Sequence, residues 1–141
     1  KSNWKAIAVG IFSGVLASLG SILAMAVLFG FTHQEYVSFL PKSITTAIGM
    51  DVSEELGGYV SITVAIIVLT GVLGNMVQKA YVAFKIEEPI AKGIAIGTAS
   101  HAIGTSKAME LGDIEGAMSS LSIVVSGLIT VIGASVFAQF M

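Results

Sequence analysis

The chain has 141 residues, of which 55% are hydrophobic and 11% charged, with a formal net charge of −2 and no cysteine. Soluble domains carry about 25% charged residues, and a mean hydropathy of +0.91 leaves too little polar surface to cover a core in water. Composition therefore excludes an ordinary soluble fold, a basic nucleic-acid footprint, disulfides and thiolate chemistry, and makes lipid the solvent for much of the surface.

The sequence opens on Lys1 rather than Met, which reads as a processed, trimmed or fragmentary chain. Residues 6–31 contain no Lys, Arg, Asp or Glu. As a helix they span about 39 Å, enough to cross a bilayer core and far longer than a signal-peptide apolar segment. Trp4 suits the interfacial belt at their start. Segment 32–57 follows, mixing short apolar pieces with Gly, Ser, Thr and a few charges. A second charge-free stretch, 56–78, predicts a span near 58–79. Segment 81–112 is again interrupted: Pro89 opens a piece, 90–97, that reaches halfway across a bilayer before the polar run 98–107. The last charge-free stretch, 116–141, predicts a span near 114–139, capped by Asp113 with Glu115 beside the positive helix end. The expected fold is an all-α integral membrane protein, a single domain over 1–141. It has three transmembrane helices and two re-entrant or broken helical segments.

Lysine placement sets a topology. Lys1, Lys5, Lys79, Lys85 and Lys92 fall on one face, and Lys42 falls on the other with Glu35, Asp51, Glu54 and Glu55. By the positive-inside rule the five-lysine face is cytoplasmic and Met141 is outside.

The chain also repeats itself. Ala47-Ile48-Gly49 and Glu55-Leu56-Gly57 recur 55 residues later as Ala102-Ile103-Gly104 and Glu110-Leu111-Gly112. Thr45-Thr46 then aligns with Ser100-His101, and Ser43 with Thr98. One predicted span separates the copies, so two re-entrant copies enter from opposite faces, as an inverted repeat. Inverted repeats with broken helices place a site at the membrane midplane. Four neighbourhoods are candidates: Ser43, Thr45 and Thr46; Thr98, Ser100 and His101; Thr105, Ser106 and Lys107; and the acidic set Glu54, Glu55 and Glu110. Hydroxyls and free N–H groups at a half-helix start bind anions. A nearby Lys or His completes carboxylate recognition or carries a proton. Against this stands the plain structural role of each: Ser and Thr bond neighbouring carbonyls in membrane helices, Lys107 sits at an interface, and the glutamates are solvated helix ends. Gly10–Gly14 and Gly93–Gly97 are GxxxG matches, which indicate close helix packing. No HExxH or GxSxG motif is present, and the neighbours Ser100 and His101 do not make a dyad, so no enzyme, cofactor or metal is expected.

These same residues carry a family resemblance. Leu40-Pro41-Lys42-Ser43-Ile44-Thr45-Thr46 resembles the first signature of the LrgB/CidB family, and Gly97-Thr98-Ala99-Ser100-His101-Ala102-Ile103-Gly104-Thr105 resembles the second. The stretch from Lys107 through Glu110-Leu111-Gly112 to Glu115-Gly116-Ala117-Met118-Ser119-Ser120-Leu121 continues it, and Asn3-Trp4-Lys5-Ala6-Ile7 extends it over nearly the whole chain. The resemblance implies a bacterial inner-membrane protein linked to murein hydrolase activity and autolysis. It also implies a small holin-like partner, LrgA or CidA, and transport of short carboxylates such as pyruvate or glycolate. The rival implication is an antiholin-like regulator with no substrate of its own. Substrate contacts are expected from Ser43, Thr45, Thr46, Thr98, Ser100 and His101, with Lys107 nearby; homo-oligomerisation is left open. Ala47 stands where many members have proline. Members are typically longer upstream, so the chain reads as a carboxyl-terminal part that does not transport alone.

Overall fold

A computed structural model describes residues 3–77 and 86–141. Lys1, Lys79, Lys85 and Tyr81, at the start of the second interrupted segment, lie outside the described residues. The described residues form helices and no strands: α1 (Trp4–Phe29), α2 (His33–Phe39), α3 (Thr46–Glu55), α4 (Val60–Val77), α5 (Pro89–Leu111) and α6 (Asp113–Phe137), with a short 3-10 turn, Ala138–Phe140.

α1, α4 and α6 are the three helices long and apolar enough to cross a membrane, as the charge-free stretches require. Leu28, Leu69 and Leu128 stand exposed on them, which suits a lipid solvent. Gly30 ends α1 in the left-handed conformation, φ 66°, where a side chain would be strained. Asp113 does not cap the last span. A single residue, Gly112, separates α5 from α6 and serves as the cap of both, and no side chain bonds the exposed amides of α6.

Segment 32–57 and the described part of segment 81–112 are re-entrant hairpins, and their contacts give the direction of each. α2 begins where α1 and α6 end: Phe31 packs on Phe39, the Tyr36 hydroxyl donates to Phe137 O at 2.9 Å, and His33 Nδ1 lies 2.9 Å from Met141 O. The chain then descends to the middle of α1, where Lys42 Nζ meets Ser18 Oγ at 3.0 Å. α3 climbs back antiparallel to α4, with Gly49 against Ile67 and the Thr63 hydroxyl donating to Ser53 Oγ at 2.7 Å. Gly57, φ 79°, turns the chain into α4.

α5 repeats this from the other face. Its first half runs alongside the start of α1, Gly10 facing Ile94 and Gly14 facing Thr98. At His101 the backbone leaves helical geometry, φ 42° and ψ −139°. The second half folds back along the start of α6: Thr105 Oγ1 is 2.6 Å from Ser119 Oγ, and Met109 packs on Gly116. The two units, α2–α3–α4 and α5–α6, thus have the same order and opposite sense. Ser38 touches the Thr63 side chain in the first and Gly93 touches Met118 in the second, each pair 55 residues from its counterpart.

The two halves of the bundle pack differently. Toward the ends of α1 and α6, Val15, Leu19, Ile22 and Ala26 form an apolar core with Tyr36, Val37, Leu40, Val52 and Ala134. Toward their beginnings, small residues let backbones approach. The Gly10–Gly14 pair receives α5, the Gly93–Gly97 pair presses α5 onto α6, and Ser119, Ser122 and Ser126 form the buried face of α6.

Candidate functional site

Along α1 and the first half of α5 runs an open groove of about 890 Å³. Asn3 and Glu88 stand at its mouth, on the face where both helices begin. Ser18, Lys42 and Ser43 line its inner end. Ser18 is 14 residues beyond Trp4, a depth of about 21 Å of helix, so the inner end lies near mid-membrane.

Most groove hydroxyls are spent on their own helices. Ser13 Oγ donates to Gly10 O at 2.9 Å, Ser21 Oγ to Ser18 O at 2.8 Å, and Thr98 Oγ1 to Ile94 O at 2.8 Å. This satisfies each donor within the helix and leaves the walls largely apolar. The inner end differs. Lys42 Nζ donates to Ser18 Oγ at 3.0 Å and to Ser43 Oγ at 2.9 Å, and Ser18 Oγ donates to Ser43 Oγ at 3.1 Å. Ser43 is buried and Lys42 half-buried. Among the described residues no carboxylate pairs with Lys42; the one salt bridge joins Lys107 to Glu110.

Of the residues singled out in the sequence, the groove gathers Ser43 and Thr98. His101 and Ser100 are buried on the opposite side of α5, against α4. His101 Nε2 lies 2.8 Å from Ile67 O, and because a carbonyl only accepts, Nε2 carries the proton and donates. Ser100 fits against Gly74, where any Cβ would overlap its hydroxyl. Thr45 precedes α3 as its cap residue in extended backbone, φ −63° and ψ 146°, and Thr46 is half-buried at the first helical position. Lys107 pairs with Glu110 at the exposed end of α5, remote from the groove, and Glu54 and Glu55 are exposed.

Lys42 and Ser18 were missed as site residues. Lys42 does not lie with the acidic residues of the far face; the α2–α3 hairpin carries it inward to the depth of Ser18. The repeat held the signal, because Lys42 aligns with Gly97, already placed at depth.

Three crossing helices and two opposed re-entrant hairpins define a multi-pass helical membrane protein. The sequence profile of the LrgB-like family matches residues 1–140, and the chain belongs to that family. It is 37% identical over 131 residues to the holin-like protein CidB of Staphylococcus aureus, covering 92% of this chain and 57% of that protein. It is 35% identical over 144 residues to the antiholin-like protein LrgB of Bacillus mycoides, covering 99% of this chain and 61% of that protein. An antiholin-like LrgB of Bacillus cereus matches to the same extent. The chain thus spans about three fifths of the length of these curated relatives. No solved structure matches it.

Proposed function

We propose that the chain carries the translocation pathway of a membrane protein that moves small carboxylates of the pyruvate and glycolate class. We propose further that this movement is coupled to control of murein hydrolase activity and autolysis through a small holin-like partner of the LrgA or CidA kind. The observation that supports this reading is the pair of hairpins entering from opposite faces, with Lys42 at the tip of one lining a groove walled by the other. Backbone without helical pairing is tolerated at membrane depth only where it is buried or lines a cavity. Transporters of inverted-repeat build place solute there and expose it to each face in turn.

The described lysines at the groove mouth face, Lys5, Lys92 and Lys107, make that face cytoplasmic by the positive-inside rule, so the groove is open inward. Ser43 and Thr98 line the passage. Thr45, Thr46, Ser100 and His101 form the two breaks about which the hairpins shift, and Lys107 stabilises the cytoplasmic end of α5 through Glu110. The printed names of the relatives, holin-like and antiholin-like, favour a second reading in which the protein regulates a pore and moves no substrate. Uptake of labelled pyruvate or glycolate into proteoliposomes holding the native protein that carries this chain, with and without the small partner, separates the two. Saturable uptake is expected from the carrier. Its absence in both preparations, with autolysis still altered in cells, establishes the regulator.

A further inference from the structure

We infer that Lys42, Ser43 and Ser18 form a receptor for one small monocarboxylate at the inner end of the groove, a deepening of the carrier reading that names where the cargo's charge is held. An ammonium has three N–H donors. Two of those on Lys42 go to Ser18 and Ser43. The Ser43 hydroxyl accepts from both Lys42 and Ser18 and donates to nothing among the described residues. Two donors therefore remain at the inner end: the third N–H of Lys42 and the O–H of Ser43. A carboxylate offers two oxygens, one for each.

The rest of the groove directs an anion to this point. Ser13, Ser21 and Thr98 have given their protons to backbone carbonyls and offer only lone pairs, which an anion does not seek. Ser18 has a supporting role: its proton goes to Ser43, which turns the Ser43 proton outward to the ligand. Charge balance sets the class of ligand. A lone cation near mid-membrane is costly, and one carboxylate neutralises it. A dicarboxylate brings a second charge that no described cation in the groove meets, and a neutral amide of the same shape brings none. The receptor selects monocarboxylates over both.

The test is equilibrium binding of carboxyl-labelled 13C-pyruvate to the purified chain in lipid nanodiscs, followed by NMR, with malonate and pyruvamide as competitors. Pyruvate is expected to bind and both competitors to displace it poorly. Lys42→Met removes a charge-assisted hydrogen bond and is expected to weaken pyruvate roughly tenfold to hundredfold. Ser43→Ala weakens it about tenfold, and Ser43→Thr, which keeps a hydroxyl, restores it. If Lys42→Met does not fold, the Ser43 pair decides by itself, because equal loss in Ala and Thr overturns the receptor. So do equal binding by wild type and Lys42→Met, and absence of pyruvate binding to folded wild type. Binding that depends on Lys42 in a protein that moves no pyruvate in proteoliposomes overturns the carrier reading and leaves the receptor standing.

Discussion

The two hairpins solve one problem in different ways. Each must reverse a half-length helix at mid-membrane, and the two breaks fall at adjoining positions of the repeat. The first uses a link of non-helical residues, 40–45, built on Pro41, before α3 starts at Thr46. The second turns at one residue, His101, which aligns with Thr46 and takes a positive φ of 42° despite its side chain. A longer link leaves backbone and side chains free to face the groove, and Lys42 and Ser43 lie on it. A one-residue turn needs a fastening, and the imidazole supplies it by donating to Ile67 O. The same repeat therefore yields one tip that brings Lys42 and Ser43 to the groove and one that braces.

The largest effect is all-or-none and tests whether the hairpins are opposed. Tyr59 immediately precedes α4 beside the first hairpin, and Glu88 immediately precedes α5 at the mouth of the second. With no native cysteine to interfere, Tyr59→Cys is expected to react with a membrane-impermeant thiol reagent only from outside. Glu88→Cys is expected to react only from the cytoplasmic side. Labelling of both from one face removes the inverted arrangement.

Next in size are the glycines on which each hairpin closes. A Cβ at Gly97 would drive into the Ser119 carbonyl and come 2.7 Å from Ser122 Cβ. A Cβ at Gly104 would collide with Ser100 Cβ and come 3.1 Å from Ile96. Gly49, the partner of Gly104 in the repeat, would clash only with the far end of the Ile67 side chain and otherwise make ordinary contacts with Pro41 O and Ile44. Gly97→Ala and Gly104→Ala are therefore expected to cost about 1–3 kcal/mol or more, and Gly49→Ala clearly less. Thermal unfolding in detergent checks the order, and an equal loss at Gly49 and Gly104 would sink the claim that the second hairpin is the tighter one.

Much of this was legible in the sequence, and the reason differs by element. The three spans needed only the absence of charge over long stretches, a signal that lipid enforces at every residue. The repeat and its two breaks were legible because glycine, proline and hydroxyl residues recur at a fixed offset. The partners of the polar groups were not legible. His101 and Thr98 sit one helical turn apart at most, yet one faces α4 and the other the groove, which depends on how α5 rotates against its neighbours. Lys42 read as a surface residue because lysines are usually solvated. The repeat, which aligns it with Gly97, carried the contrary signal.

His101 and Thr46 sharpen the comparison at a single aligned position. His101→Ala loses the bond to Ile67 O and keeps a Cβ at positive φ, so about 1–3 kcal/mol of destabilisation is expected. His101→Gly loses the same bond but relaxes the backbone and should lose less. Thr46→Ala, at an ordinary helical φ on a half-buried residue, is expected to stay within about 0.5 kcal/mol. In the uptake assay His101→Ala is expected to insert normally and lose carboxylate movement. Retained uptake would reduce His101 to a packing residue.

The smallest effect lies at the entrances of the hairpins, where the two again differ. α2 opens with a capping box: the Thr32 hydroxyl accepts from Glu35 N at 3.3 Å, and the Glu35 carboxylate accepts from Thr32 N at 2.8 Å. α5 opens with Pro89 at its first turn and no side-chain cap on its amides. The hydrogen bonds from the Thr32 backbone and then its hydroxyl hold the Glu35 carboxyl below its ordinary value of 4.5. A depressed folded-state value means that the stabilisation is complete above that ordinary value and is lost as pH falls toward and through the folded one. Among the described residues, α2 has a carboxylate bonded to its capping amide, whereas α5 has no side-chain cap. Local opening of residues 32–39, read by amide hydrogen exchange corrected for intrinsic rate, is expected to rise modestly between pH 6 and about pH 3.5, while residues 89–96 show no such rise. Glu35→Gln removes the acid-dependent part and leaves first-hairpin exchange slightly faster at neutral pH. Equal acid sensitivity of both segments, or an unchanged profile in Glu35→Gln, would mean that the capping box does not hold the entrance of α2.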